Sequence, residues 1–337
     1  MVTISDIAAA LGVTPSTVSR ALSGSPRVNG ETRLAVERMA AEMGYERNVI
    51  ASNLRKGRSD IVGIIVPRIH REFFSNVIGG AESILEAAGY SVLICQTHER
   101  FEAEVKALRT LRNNQVAGVL MSHAIGSENG RHILEALGDR IPLVQFDRVF
   151  SDLPGAKVVS DNFEGAYAAT RHLVSEGYRR IGTLAGYMNS EAYAARLEGY
   201  RQALRDSGLP VDESIVYYDT IVRETGFEAG LKALDAGCDA LYSAGDFSAL
   251  GAIEAARSRG VRIPVEFGVV GTANETFTSL MSPSMSSLAL NPFEMGRQAA
   301  QAFLGGEDGV RVVPMELKVR ESSSRLQAIE NQSNIYV

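Results

Sequence analysis

Arg20 carries a planar guanidinium whose donors can read guanine O6 and N7 as a fork, and it lies one helical turn beyond Ser16 and Thr17. Small hydroxyl side chains in such a position can approach phosphates and base edges closely. That chemistry requires the three side chains on one exposed face, and their neighbours supply it. Thr14 can cap a helix, and Pro15 suits its first position, where no amide donor is missed. Val18 and Leu22 then turn inward at i and i+4, leaving Ser16, Thr17 and Arg20 outside. A preceding helix starts at Thr3 with Asp6 three residues on, places Ile7, Ala8 and Leu11 on one face, and ends at Gly12. A third helix is expected over residues 30–43, with Leu34, Val36 and Met39 for burial and Gly44 closing it. Two short helices joined by a tight turn, with a third as support, make a helix-turn-helix whose second helix fits the DNA major groove. The same pattern also describes a three-helix bundle whose exposed Ser, Thr and Arg are solvated surface.

Charge separates this segment from the rest. The 337-residue chain has a formal net charge of −6, yet residues 1–58 hold eight Arg and Lys against five acids, leaving −9 for the remainder. A small basic module on an acidic body is expected where only the module meets phosphates. The composition, 45% hydrophobic and 22% charged, is that of an ordinary globular protein of about two domains or a little more. No apolar run approaches the roughly 20 residues that span a bilayer, and the N-terminus lacks a signal-like basic region and apolar core. Cys95 and Cys238 lie in apolar surroundings without a CxxC partner and read as two buried, reduced thiols in a cytoplasmic protein. The five histidines are scattered without metal spacing, and there is no G-x-S-x-G, P-loop or G-x-G-x-x-G. No enzyme activity, metal or cofactor is therefore expected. Gly79-Gly80 reads as a helix packing site and Gly305-Gly306 as a turn.

From Ile61 the pattern becomes alternating β and α. Apolar strands are expected at 61–66, 91–95, 116–121, 143–146, 181–185, 240–243 and 268–271. Amphipathic helices lie between them, at 79–88, 102–113, 164–176, 195–207, 224–236 and 248–259. Continuous apolar strands separated by such helices form parallel sheets covered on both faces. Some 260 residues of this pattern make two sheets rather than one. Ligands in such folds bind beyond the carboxyl ends of the strands, here in the cleft between lobes.

The N-terminal residues also carry a family resemblance. Thr3-Ile4-Ser5-Asp6-Ile7-Ala8, Gly12-Val13-Thr14-Pro15-Ser16-Thr17-Val18-Ser19-Arg20-Ala21-Leu22, Arg27-Val28, Glu31-Thr32-Arg33, Met43-Gly44-Tyr45 and Asn48 closely resemble the headpiece of LacI/GalR transcription regulators. The resemblance continues through Val66-Pro67, Phe73-Phe74, Asp147-Arg148, Asp161-Asn162, Arg196-Leu197-Glu198-Gly199-Tyr200, Gly245-Asp246 and Arg320-Glu321-Ser322-Ser323, covering nearly the whole chain. It implies an α/β fold in which an all-α helix-turn-helix headpiece (1–46) and a hinge helix (47–59) precede a two-lobed core like that of periplasmic binding proteins (60–325). Lobe 1 would hold about 60–159 and 290–318, lobe 2 about 160–289, with crossovers near Ser160, Ala289 and Lys318. A polar tail, 326–337, would follow.

The resemblance further implies a homodimer on palindromic operator DNA, controlled by a small-molecule effector of carbohydrate type. Pro15, Ser16 and Arg20 would read bases, with Arg20 carrying most of the readout. Thr3, Thr14, Ser19, Asn29, Thr32 and Tyr45 would meet backbone phosphate. In the hinge, Leu54 would wedge into the minor groove, and Ala51 would let two hinge helices approach. In the cleft, Asp147 and Arg196 would bind ligand polar groups, Phe73 or Phe74 would stack, and Ile221 and Asn274 would complete the wall. The chain departs from sugar-sensing relatives at Gly245, Ala273, Leu290 and Ile221, where hydrogen-bonding or aromatic groups are usual. The expectation is an effector less hydroxylated than a free hexose, or a pocket that has lost its ligand. The other class of function is a cytosolic ligand-binding protein or hydrolase using the same cleft, with the N-terminal helices as a protein-interaction module.

Overall fold

Three helices open the chain because three local signals are each satisfied. In the computed structural model, which describes residues 2–45 and 59–333, α1 (Ile4–Leu11), α2 (Pro15–Leu22) and α3 (Gly30–Glu42) each begin at a polar cap. Thr3 accepts from the Asp6 amide while Asp6 accepts from Thr3, a reciprocal capping box. Thr14 accepts from the Thr17 amide at 3.2 Å, and Asn29 from that of Thr32 at 2.8 Å. Gly12, at φ 65°, supplies the left-handed turn that ends α1. Ile7, Ala8, Val18, Ala21, Val36 and Ala40 form the small core. Leu34 does not join it. With Val36 and Ala40 fixing the inner face, Leu34 falls on the opposite side of α3 and stays 64% exposed. Residues through Ser59 form one unit and those from Asp60 a second. The hinge readings, Ala51 and Leu54 included, lie outside the described residues.

The second unit holds two six-stranded sheets. The first runs in the order β11 (Gly309–Val313), β5 (Ala156–Ser160), β4 (Leu143–Phe146), β3 (Gly118–Met121), β1 (Ile61–Val66), β2 (Ser91–Gln96), all parallel. The second runs β12 (Glu316–Lys318), β10 (Ser286–Ala289), β9 (Gly268–Ala273), β8 (Ala240–Ser243), β6 (Ile181–Leu184), β7 (Val216–Tyr217), parallel except for the antiparallel β10–β12 pair. The seven strands expected from sequence all form. Central strands such as β1 are apolar throughout because helices cover both faces. In lobe 1 those helices include Glu72–Ala87 and Pro292–Gly305, whose Met295, Ala299 and Ala300 pack with Val62, Ile64 and Val66. Their backbones meet at Gly80 and Gly296, where an added Cβ would strike the Phe293 carbonyl oxygen at 2.0 Å and that of Val77 at 1.9 Å. The packing role read for Gly79-Gly80 therefore belongs to Gly80, and Gly306 caps the helix at φ 61°.

Two boundaries differ from expectation. The chain recrosses after Ser160 and Ala289 as read, but the third crossing lies between β11 and β12, at 314–315 rather than near Lys318. Lys318 pairs in the second sheet opposite Ser287. Nor is the end of the chain simply a polar tail. The helix Arg325–Ser333 is fastened to lobe 2 where Arg325 Nε donates to the Val265 carbonyl at 2.9 Å and its guanidinium lies 4.8 Å from the Tyr178 ring. Both cysteines are free, Cys238 buried and Cys95 only half-buried at the β2 edge of the sheet. Burial pushes both thiols up, Cys238 to about 11, so neither is a ready thiolate.

Candidate functional site

In the headpiece, Pro15, Ser16 and Arg20 are exposed on α2, with Ser16 and Arg20 sharing a face at i and i+4. Thr14, Ser16 and Thr17 form a hydroxyl cluster at the start of that helix, with Thr14 Oγ1 2.8 Å from Ser16 Oγ and 2.9 Å from Thr17 Oγ1. Of the residues expected at phosphates, Thr3, Thr14 and Asn29 are the three N-caps and are exposed. Ser19, Thr32 and Tyr45 are half-buried, with Tyr45 packed against the headpiece core. Helix N-termini present amides and a positive dipole end, the arrangement that accepts phosphate. Arg33 does a different job: its Nη2 donates to the carbonyls of Gly24 and Ser25, at 3.3 and 2.9 Å, holding the α2–α3 loop.

In the core, a cleft of about 120 Å³ lies between the lobes at the carboxyl ends of their strands. It gathers five of the six residues expected there: Phe73, Phe74, Asp147, Arg196 and Ile221. Phe74 is buried in the lobe 1 core and Phe73 is partly buried at its edge, their rings 5.1 Å apart and nearly perpendicular. Asp147 follows β4 in the left-handed region, φ 59°, and accepts from Ser122 Oγ at 3.2 Å. Burial pushes its carboxyl up, against the pull of Arg148 and Arg196. Arg196 is buried; its Nε donates to Asn162 Oδ1 and its Nη1 to the Ala244 carbonyl, both at 2.8 Å. Gly245, Ala273 and Leu290, the positions that depart from sugar-sensing relatives, also line the cleft.

Asn274 does not line this cleft but an adjoining one that shares Phe73, Ala273, Glu275 and Leu290 with it. It sits at φ 54° just after Ala273, itself at φ 123°, and this reversal turns its side chain so that Oδ1 accepts from Arg320 Nη2 at 2.7 Å. The site is instead richer in charge than the sequence reading had it. Arg68, Arg71, Glu99, Arg148, Asp246 and Glu275 all line it. Arg148 forks onto Glu99, Nη1 to Oε2 at 2.7 Å and Nη2 to Oε1 at 3.3 Å. Burial alone would raise the Glu99 carboxyl; the Arg148 fork holds it below its ordinary value. Each of these side chains follows the end of a strand, and that placement was the available signal. Arg148 and Asp246 even stand in the motifs quoted for the family, without a ligand role.

One lobe also touches the other through carboxyls. Glu72 of lobe 1 accepts from the Thr276 amide and hydroxyl of lobe 2 at 2.9 and 2.7 Å, while the Glu275 carboxyl bonds to Glu72. Burial, with Asp246 and Glu72 nearby, pushes Glu275 up to about 7. Asp246 accepts from Ser287 Oγ and the Glu275 amide, and burial pushes it up to about 6. A carboxyl raised on folding binds more protons folded than unfolded, so its stabilisation is complete below the ordinary value of 4.5 and is lost as pH rises through about 7. Melting curves should therefore show wild type losing stability between pH 5 and 8 relative to Glu275→Gln, which cannot titrate. Parallel pH profiles for the two proteins would refute the raised Glu275 carboxyl.

With this geometry in place, comparison with known proteins decides the family. The family model for periplasmic binding proteins and the sugar-binding domain of the LacI family matches residues 59–326, and that for bacterial regulatory proteins of the LacI family matches 3–48. The chain belongs to the LacI family. It is 31% identical over 332 residues to the HTH-type transcriptional regulator DegA of Bacillus subtilis (strain 168), covering 96% of this chain and 98% of that one. It is similar to a solved complex of the transcriptional regulator CelR with cellobiose, at 29% identity and TM-score 0.72, with 96% of this chain and 100% of that one covered. The Lac repressor dimer bound to operator and the anti-inducer ONPF shares the fold at TM-score 0.83 and 23% identity, covering 96% of this chain and 99% of that one. As a LacI-family protein the chain is a DNA-binding transcription regulator under effector control, with the headpiece as its DNA-binding element. Among the described residues no helix is long and apolar enough to cross a membrane.

Proposed function

We propose that this regulator acts in the cytoplasm as a homodimeric repressor on a palindromic operator, controlled by a carbohydrate-derived effector bound between the lobes. What supports the effector reading is the convergence of Phe73, Phe74, Asp147, Arg196 and Ile221, from both lobes, on one cleft. Ser16 and Arg20, exposed on one face of a capped helix, support major-groove readout. Thr3, Thr14, Ser19, Asn29, Thr32 and Tyr45 would fix the register on phosphate, and Leu54 with Ala51 would engage the minor groove. Effector binding would shift the population between DNA-competent and released dimers, so effector and operator must change each other's affinity by the same factor.

Random-site selection followed by binding titrations tests this directly. The full chain is expected to enrich a palindrome, and deletion of residues 1–58 to abolish binding to it. Carbohydrate-derived compounds added to the selected complex should release the operator; tightening in place of release would identify a corepressor and refute induction. A chain that enriches no sequence with or without such compounds refutes the DNA reading of the headpiece.

A further inference from the structure

We propose that the cleft selects an anionic effector, a polyol carrying one carboxylate or phosphate, and that Arg71 selects it. The proposal rests on the reading of the cleft as the effector site. Its basis is which cleft charges are already committed. Glu99 is held by the Arg148 fork and lies 3.6 Å from Arg68 Nε. Asp246 is occupied by Ser287 and the Glu275 amide, and Glu275 by Glu72. Asp147 faces Ser122 and lies 3.9 Å from Arg148. Two guanidiniums remain without a close ion pair among the described residues, although Glu275 and Glu99 act on Arg71, and Asp147 on Arg196, from farther off. Arg196 is held by neutral acceptors, and Arg71 makes no side-chain hydrogen bond or ion pair there.

Arg71 is nonetheless fixed in place. It leaves lobe 1 ahead of the helix Glu72–Ala87 and lays its guanidinium 3.8 Å over the ring of Phe247 in lobe 2. Stacking immobilises the plane of the group and leaves its in-plane N–H donors free, the geometry that forks onto an oxyanion. Burial, with Arg68 nearby, pulls its pKa below the ordinary arginine value against the opposing pull of Glu275 and Glu99. A bound anion would compensate that desolvation and join the two lobes through Arg71 and Phe247. A neutral polyol gains less here, because Gly245, Ala273, Leu290 and Ile221 offer its hydroxyls no side-chain partner.

Calorimetry on the full chain, at low and moderate salt, tests the selection. The probes are glucose, galactose and ribose beside gluconate, glucuronate, galacturonate, glucose 6-phosphate and ribose 5-phosphate. At least one acid should bind about tenfold or more tightly than its neutral parent, as expected for a charge-assisted fork. That preference should weaken with salt. Whichever of carboxylate and phosphate binds more tightly names the group. Arg71→Gln should bring the acid down to its neutral parent, while Arg71→Lys keeps the charge and part of the preference; a cooperative melt of each variant establishes folding. Neutral sugars binding as well as the acids, no acid binding, or an unchanged preference in Arg71→Gln would overturn the proposal. Operator titration separates the two readings. An acid that binds through Arg71 yet leaves operator affinity unchanged refutes the effector role of the cleft, and leaves its anion selectivity standing.

Discussion

Arg20→Ala should relax operator discrimination at one symmetric base pair and weaken specific binding by about 1–3 kcal/mol per half-site. The size follows from losing a bidentate contact to a base edge, and the specificity loss follows from where Arg20 stands. Its side chain is exposed on the outer face of α2 and makes no described contact within the headpiece. Truncation therefore removes a reader without disturbing the fold that presents it. Arg33→Ala is the informative companion. It would loosen the Gly24–Ser25 loop that Arg33 holds, and so weaken binding to all sequences alike. Titration of the selected operator against single-base-pair variants distinguishes the two. If Arg20→Ala kept the wild-type ranking of operators, Arg20 would not be the base reader.

Arg196→Ala should damage the cleft twice. The buried guanidinium lines the cleft, where it would donate to a ligand, and braces Asn162 to the Ala244 carbonyl within lobe 2. Removing it leaves two buried acceptors unpaired, at about 1–3 kcal/mol each, which should appear as a melting temperature lower by several degrees. The lost charge-assisted contact should cut effector affinity about tenfold to a hundredfold. Arg196→Lys tests the fork itself, since one ammonium cannot span both acceptors and still reach the ligand. It should recover part of the stability and little of the affinity. Normal melting together with normal effector response in Arg196→Ala would remove the residue from both roles.

What the sequence made legible was governed by distance along the chain. Thr3, Gly12, Thr14 and Pro15 act on amides within a few residues, so the headpiece could be read directly. Leu34 failed because 34, 36 and 39 do not share one helical stripe, and only the packing of Val36 and Ala40 shows which side is inward. Of the missed strands, β7, β11 and β12 lie at sheet edges, where side chains such as Val310 and Val312 stay exposed and blur the apolar run, while the apolar runs of β5 and β10 are broken by Lys157 and by Ser286 and Ser287. In the cleft, Asp147 and Arg196 stood in recognisable motifs. Arg71, Glu99 and Glu275 lie on three separate loops, and their meaning arises from convergence. Asn274 was misplaced because a backbone reversal, rather than its side-chain chemistry, decides which way it faces.

The route of the chain through lobe 1 also sets an order of events during synthesis. Strands β1 to β5 leave the ribosome first, but the helix Pro292–Gly305 that seals their inner face, and the edge strand β11, are made only after residues 161–289 have built most of lobe 2. At bacterial elongation rates that interval is on the order of ten seconds. For that time Val62, Ile64 and Val66 lack the cover of Met295 and Ala299, while the headpiece, complete within its own unit, has everything it needs to fold. The nascent regulator thus passes through a stage with a finished DNA-binding module and an open apolar sheet, a natural client for a ribosome-associated chaperone.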